Sequence, residues 1–160
     1  VSVKLREGAY RTVENNIWVD SVVAPCFHVG NEWNHDRYVH NITVMAADDV
    51  YAVVAPPARG PWLEEIDRNC FFSRSGRFMA RVSQLRGEDG PERGVLRYDL
   101  EEWRSLGFDR HSVFADPLFV DPARNDFRVR PGSPALRVGF ENFEMGLWGI
   151  TQDFPAALRD

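Results

Sequence analysis

The sequence predicts an all-β fold in which short parallel strands stack in successive coils of a solenoid. Three observations carry this prediction. Three segments share one pattern, an Asn followed by three or four apolar or β-favouring residues: Asn15-Asn16-Ile17-Trp18-Val19, Asn41-Ile42-Thr43-Val44 and Asn69-Cys70-Phe71-Phe72. Their starts at Asn16, Asn41 and Asn69 lie 25 and 28 residues apart, a plausible length for one coil. No segment before residue 99 has a convincing helical period, whereas short apolar runs bounded by turn residues recur throughout. Coils stacked at about 4.8 Å would bring the Asn residues into register, and their amides could then form a ladder. The irregular spacing leaves an ordinary antiparallel sandwich open as the alternative.

The elements follow in order. Residues 1–85 form the coils. Between the Asn-led strands lie the runs Val22-Val23-Ala24, Cys26-Phe27-His28-Val29 and Val50-Tyr51-Ala52-Val53-Val54. Residues 86–98 hold a loop and a strand; 86–93 (RGEDGPER) contain no apolar side chain and read as solvent-facing. Residues 99–107 read as the one clear helix. Asp99 is a good N-cap, Glu102 completes a capping box and Gly107 is a stop. Leu100, Trp103 and Leu106 give the helix one apolar face.

Residues 108–160 read as a C-terminal cap and tail of the same domain. The segment Phe114–Pro122 reads as a strand flanked by two Asp-Pro turns. Phe127 and Val129 alternate with Arg128 and Arg130 as in a half-buried strand. Pro131-Gly132-Ser133-Pro134 reads as a turn, and the stretch from Gly139 to Pro155 as an extended tail lying on other surface.

Composition bounds the function. The chain has 160 residues, 44% hydrophobic and 27% charged, which is globular rather than disordered. No run approaches the roughly 20 apolar residues of a membrane helix, so no membrane span is expected. Net charge is −5, and the basic residues (18 Arg and Lys4) are scattered among acids, so no nucleic-acid partner is expected. Cys26 and Cys70 make no metal motif and are read as free thiols, with a bridge as the alternative.

The run from Asp99 to Phe140, DLEEWRSLGFDRHSVFADPLFVDPARNDFRVRPGSPALRVGF, resembles the C-terminal segment of bacterial right-handed parallel β-helix proteins. It is most similar to the carbohydrate-active group that includes glycoside hydrolase family 141. The resemblance rests on LEEW, DRHS, ADPLFVDP, DFRVRPGSPAL and GF. It implies a right-handed parallel β-helix, a secreted or periplasmic setting and a polysaccharide or oligosaccharide partner. It also implies that these are the last few coils, with further coils upstream in the same polypeptide. No catalytic motif of that family falls on residues of this chain.

Glycoside hydrolysis needs two carboxylates about 5 to 9.5 Å apart. The best local group is the polar bulge Gly30-Asn31-Glu32-Trp33-Asn34-His35-Asp36-Arg37. There Glu32 and Asp36 are the candidate catalytic carboxylates, and Trp33, His35 and Arg37 the candidate substrate contacts. A polysaccharide lyase would instead use Arg37 or His35 as the base. A glycan-binding or structural solenoid without turnover is a third reading, in which the bulge is only a solvated loop. No cofactor is expected, although Asp48 paired with Asp20 across coils offers a weak Ca²⁺ site. Asp109-Arg110-His111-Ser112 matches the family segment, and His111 is read as a hydrogen-bonded turn residue.

Overall fold

The structure is a computed structural model and describes residues 2–6, 8–21, 25–29, 34–56, 62–83, 86–87, 90–91 and 94–147. The chain visits three sheets in turn and then returns to the first. The first circuit holds β1 (Lys4–Leu5), β2 (Thr12–Glu14) and β3 (Ile17–Ser21). The second holds β4 (Cys26–His28), β5 (Arg37–Val39) and β6 (Ile42–Met45), and the third β7 (Asp49–Val54), β8 (Glu65–Asp67) and β9 (Cys70–Ser73).

Each strand pairs in parallel with its counterpart one circuit later. The sheets therefore begin β1-β4-β7, β2-β5-β8 and β3-β6-β9. The hairpin-linked antiparallel sandwich left open by the spacing does not describe residues 15 to 75.

The fourth circuit departs from the pattern. β10 (Met79–Ser83) continues the first sheet in parallel. After the short hairpin of β11 (Arg86–Gly87) and β12 (Gly90–Pro91), β13 (Val95–Tyr98) returns antiparallel along β10. The 86–93 segment thus contains a hairpin where a plain loop was expected. α1 (Leu100–Ser105) comes next, and β14 (Val113–Phe114) extends the third sheet beside β9. The Asp109 amide donates to the Ile66 carbonyl at 2.7 Å, so the backbone after α1 meets the edge of the second sheet.

The expected caps of α1 are present. Asp99 accepts from the Glu102 amide, and the Glu102 carboxylate accepts from the Asp99 amide. Gly107 follows at φ 104°, a left-handed stop that suits glycine. Trp103 is fully buried, but Leu106 is 42% exposed, so the apolar face is narrower than its spacing suggests.

The interior between the sheets is aromatic. Tyr51 contacts Phe27, Tyr38, Phe71, Phe78 and Trp103. The third sheet is apolar on both faces. Trp18, Phe71 and Phe114 pack inward, while Ile17, Ile42, Cys70 and Val113 pack outward against Val129, Ala135, Val138 and Phe140. This double burial explains the unbroken apolar runs of its strands.

The outer cover is the C-terminal segment. Phe114–Pro122 is not one strand but two pieces, because Leu118 adopts φ 57° between β14 and β15 (Phe119–Asp121). β15 pairs antiparallel with β16 (Asp126–Val129). The expected turn at 131–134 instead leads into α2 (Pro134–Arg137), capped by Ser133 with Pro134 at its first position. That Ser-Pro pair is a helix-start signal. Asn15 exchanges two hydrogen bonds with the Glu141 backbone, at 3.0 and 2.8 Å, so this part of the tail lies on the first circuit.

The expected amide ladder is present. Asn41 Oδ1 accepts from the Asn16 amide and side chain, both at 3.0 Å. Asn69 Oδ1 accepts from the Asn41 amide at 2.9 Å and from its side chain at 3.3 Å. The fourth position is Ser112, whose hydroxyl accepts from the Asn69 amide at 2.8 Å and donates to Asp109 at 2.5 Å. Before each Asn stands a residue with positive φ: Asn15, His40 and Arg68. The tight turn from the second to the third sheet is thus built the same way three times.

Candidate functional site

The polar outer face of the second sheet carries the expected candidates. Residues 12, 37 and 65 are in register across its three strands, as are 14, 39 and 67. Val13, Tyr38 and Ile66 pack inward between them. Glu32 and Trp33 lie outside the described residues. Asp36, His35 and Arg37 are described, and each has a definite partner.

Asp36 is fully buried. Its carboxylate accepts from the Arg11 side chain at 3.0 and 2.6 Å and from the Arg11 amide at 3.0 Å. This forked pair joins the first circuit to the second and leaves Asp36 no access to a ligand. The geometry thus gives it a supporting role, not that of a proton donor. Asp36→Asn should destabilise the protein by about 2–3 kcal/mol, because a buried forked pair loses its charge. Urea unfolding measures this directly; an unchanged midpoint would contradict the supporting role.

Arg37 and His35 lie beside an open groove of about 280 Å³ lined also by Tyr10, Thr12 and Glu64. Tyr10 is 73% exposed and stacks on His35 with ring centres 4.7 Å apart and planes 18° apart. His35 Nδ1 lies 2.7 Å from Glu64. Arg37 donates twice to Glu65, at 2.9 and 2.7 Å, and Arg68 donates to the other oxygen of Glu65 at 2.7 Å. Its hydrogen bonds to Glu65 raise the pKa of Arg37 further, so this side chain is poorly suited to accept a proton.

The second charged cluster was not read from the sequence as a site. His40 contacts Glu14 at 3.0 Å, and His111 contacts Asp67 at 2.6 Å. His111 is the hydrogen-bonded turn residue expected. Burial pushes the Asp67 carboxyl up, but hydrogen bonds from His111 and Arg68 outweigh it, and the net shift is downward. A signal existed: His40-Asn41, Arg68-Asn69 and His111-Ser112 each put a basic side chain before the ladder position.

Asp109 is the carboxyl that burial holds up, to about 7, although Ser112, Trp103 and Asn69 all donate to it. It is fully buried in the interior, behind the sheet, and cannot meet a ligand on the outer face. Cys26 and Cys70 are both free thiols; burial pushes Cys70 up to about 12. Cys26 is only partly buried. Asp20 pairs with Arg74 at 2.6 Å and Asp48 with Arg77 at 3.0 Å, so arginines occupy the carboxylates of the suggested Ca²⁺ cluster. Among the described residues no group of three or more His, Cys, Asp or Glu is arranged to hold a metal, and no helix is long and apolar enough to cross a membrane.

No protein-family model matches this chain, and neither a curated protein nor a solved structure does.

Proposed function

We propose that the chain is the C-terminal portion of a right-handed parallel β-helix protein of carbohydrate-active type, secreted or periplasmic, whose second sheet contacts a polysaccharide or oligosaccharide. The observation that carries this reading is the exposed Tyr10–His35 stack beside Arg37 and Glu64 in one open groove. An aromatic face with charged donors and acceptors around it suits a sugar ring, whose C–H face is apolar and whose rim is hydroxylated. In this reading Glu32 is the carboxylate to test for turnover, and Asp36 supports the groove through Arg11.

A second reading, glycan binding without turnover, draws on a different observation. The carboxylates described on this face, at Glu14, Asp36, Glu64, Glu65 and Asp67, are each engaged by a histidine or an arginine. A polysaccharide lyase would need His35 or Arg37 as its base, and both are held by Glu64 and Glu65.

A glycan panel tests the proposal. Tyr10→Ala should weaken binding of the best oligosaccharide by about tenfold, the effect of losing one stacking contact, while the melting temperature stays unchanged. Failure of every glycan to bind the parent protein, or equal binding by Tyr10→Ala, would remove the groove from consideration. Glu32→Gln then separates the two readings, since loss of turnover with binding retained marks an enzyme.

A further inference from the structure

The turn between the second and third sheets repeats a basic side chain. His40, Arg68 and His111 occupy the same place in three successive circuits, immediately before Asn41, Asn69 and Ser112. Together with Arg137, Val138 and Gly139 of the C-terminal cover they line an open depression of about 350 Å³. Among the described residues none of its lining side chains is acidic. Carboxylates hold its basic side chains from outside that lining: Glu14 accepts from His40 Nδ1 at 3.0 Å, Asp67 from His111 Nδ1 at 2.6 Å and Glu65 from Arg68 at 2.7 Å.

This arrangement fixes what the depression can offer. With each Nδ1 turned to a carboxylate, Nε2 is the ring nitrogen through which His40 and His111 can hydrogen-bond a hydroxyl, which both donates and accepts. The His40 ring packs against the cover, for a Cβ on Gly139 would lie 3.0 Å from its Cδ2 and 3.1 Å from its Nε2. Glycine, at φ 94°, permits that close approach. Arg137 stands exposed at the end of α2, and no hydrogen bond or ion pair engages its guanidinium among the described residues. Glu14, Glu65 and Asp67 already have partners, and Glu141 lines the adjoining hollow beyond Gly139, so the unmatched charge within the depression is the Arg137 fork at its rim.

We propose that this depression binds a carboxylate flanked by hydroxyl groups. Arg137 and Arg68 hold the carboxylate, and His40 and His111 hydrogen-bond the hydroxyls through Nε2. A guanidinium fork matches a carboxylate edge to edge, and one unmatched positive charge suits a monoanion better than a dianion. A free hydroxy acid and an acidic sugar present the same chemistry. The site lies at the far end of β5 from the Tyr10 groove and does not rest on the reading of that groove.

The test is calorimetric titration at low salt with four probes: sodium galacturonate, sodium lactate, galactose and inorganic phosphate. Galacturonate should bind at least tenfold more tightly than galactose, and Arg137→Gln should weaken it by tenfold or more without altering the melting temperature. Lactate that binds with the same dependence on Arg137 identifies a free hydroxy acid as sufficient. Lactate that fails while galacturonate binds identifies the sugar as required. The proposal is overturned if neither carboxylate binds, if galactose binds as well as galacturonate, if Arg137→Gln binds unchanged, or if phosphate binds more tightly than both carboxylates.

Discussion

Replacing Asn41 by alanine should cost about 3–5 kcal/mol of stability, while the same change at Asn16 should cost about 1 kcal/mol or less. The difference follows from position in the ladder. Asn41 is fully buried, and its side chain accepts from Asn16 and donates to the Val13 and Val39 carbonyls at 2.9 and 2.8 Å. Removing it strands several groups where water does not reach. Each buried, unpaired polar group costs about 1–3 kcal/mol. Asn16 is the first of the three ladder Asn residues and partly exposed, and its side chain donates to the Glu14 carbonyl and to Asn41 without accepting from a neighbour among the described residues. Its loss leaves the Asn41 oxygen with the Asn16 amide as donor. Urea unfolding of the two variants gives the comparison; equal costs would show that the ladder does not join the circuits. A loss of this size is a large share of the 5–15 kcal/mol typical of a domain.

Stability should fall as pH rises from about 4 to about 7 through a contribution from Asp109, and Asp109→Asn should abolish that contribution. Burial raises the folded-state pKa of Asp109 from 3.8 to about 7, against the hydrogen bonds from Ser112, Trp103 and Asn69. Burial prevails and the Asp67 charge adds to it, while Arg104 donates to the Asp109 backbone carbonyl and not to its carboxyl. In the unfolded chain the carboxyl ionises near its ordinary value. Between the two values the folded state holds a proton that the unfolded state has released, so rising pH favours unfolding. The contribution is complete below about 4, declines through 7 and is absent above. Three units correspond to at most about 4 kcal/mol. Denaturant midpoints of the parent and Asp109→Asn from pH 4 to 8 would show converging or diverging curves. Parallel curves would mean that Asp109 does not titrate in that window.

What the sequence made legible was the part written in local or periodic chemistry. The three Asn residues stand out because each is followed by apolar residues, and their 25- and 28-residue spacings match the parallel registers found. The cap of α1 is legible because its partners are three residues apart. Partners one circuit away are not. Nothing near Asp36 announces that Arg11, 25 residues earlier, lies against it, so the sequence offers Asp36 as a candidate catalytic carboxylate without showing its buried partner. The outer face of the third-sheet strands is likewise covered by Val129, Ala135 and Phe140 from far along the chain, which no local pattern announces. The Tyr10 stack and the place of Arg137 depend on the same long-range folding.

The account stands on hydrogen bonds that join each circuit to the next in parallel. Couplings transmitted through backbone hydrogen bonds, measured by NMR, report donor and acceptor pairs directly. The structure predicts couplings from the Ile42 amide to the Asn16 carbonyl, from Cys70 to Asn41 and from Val113 to Asn69. Couplings that instead link these amides to the neighbouring strand in the antiparallel order of a hairpin would contradict it.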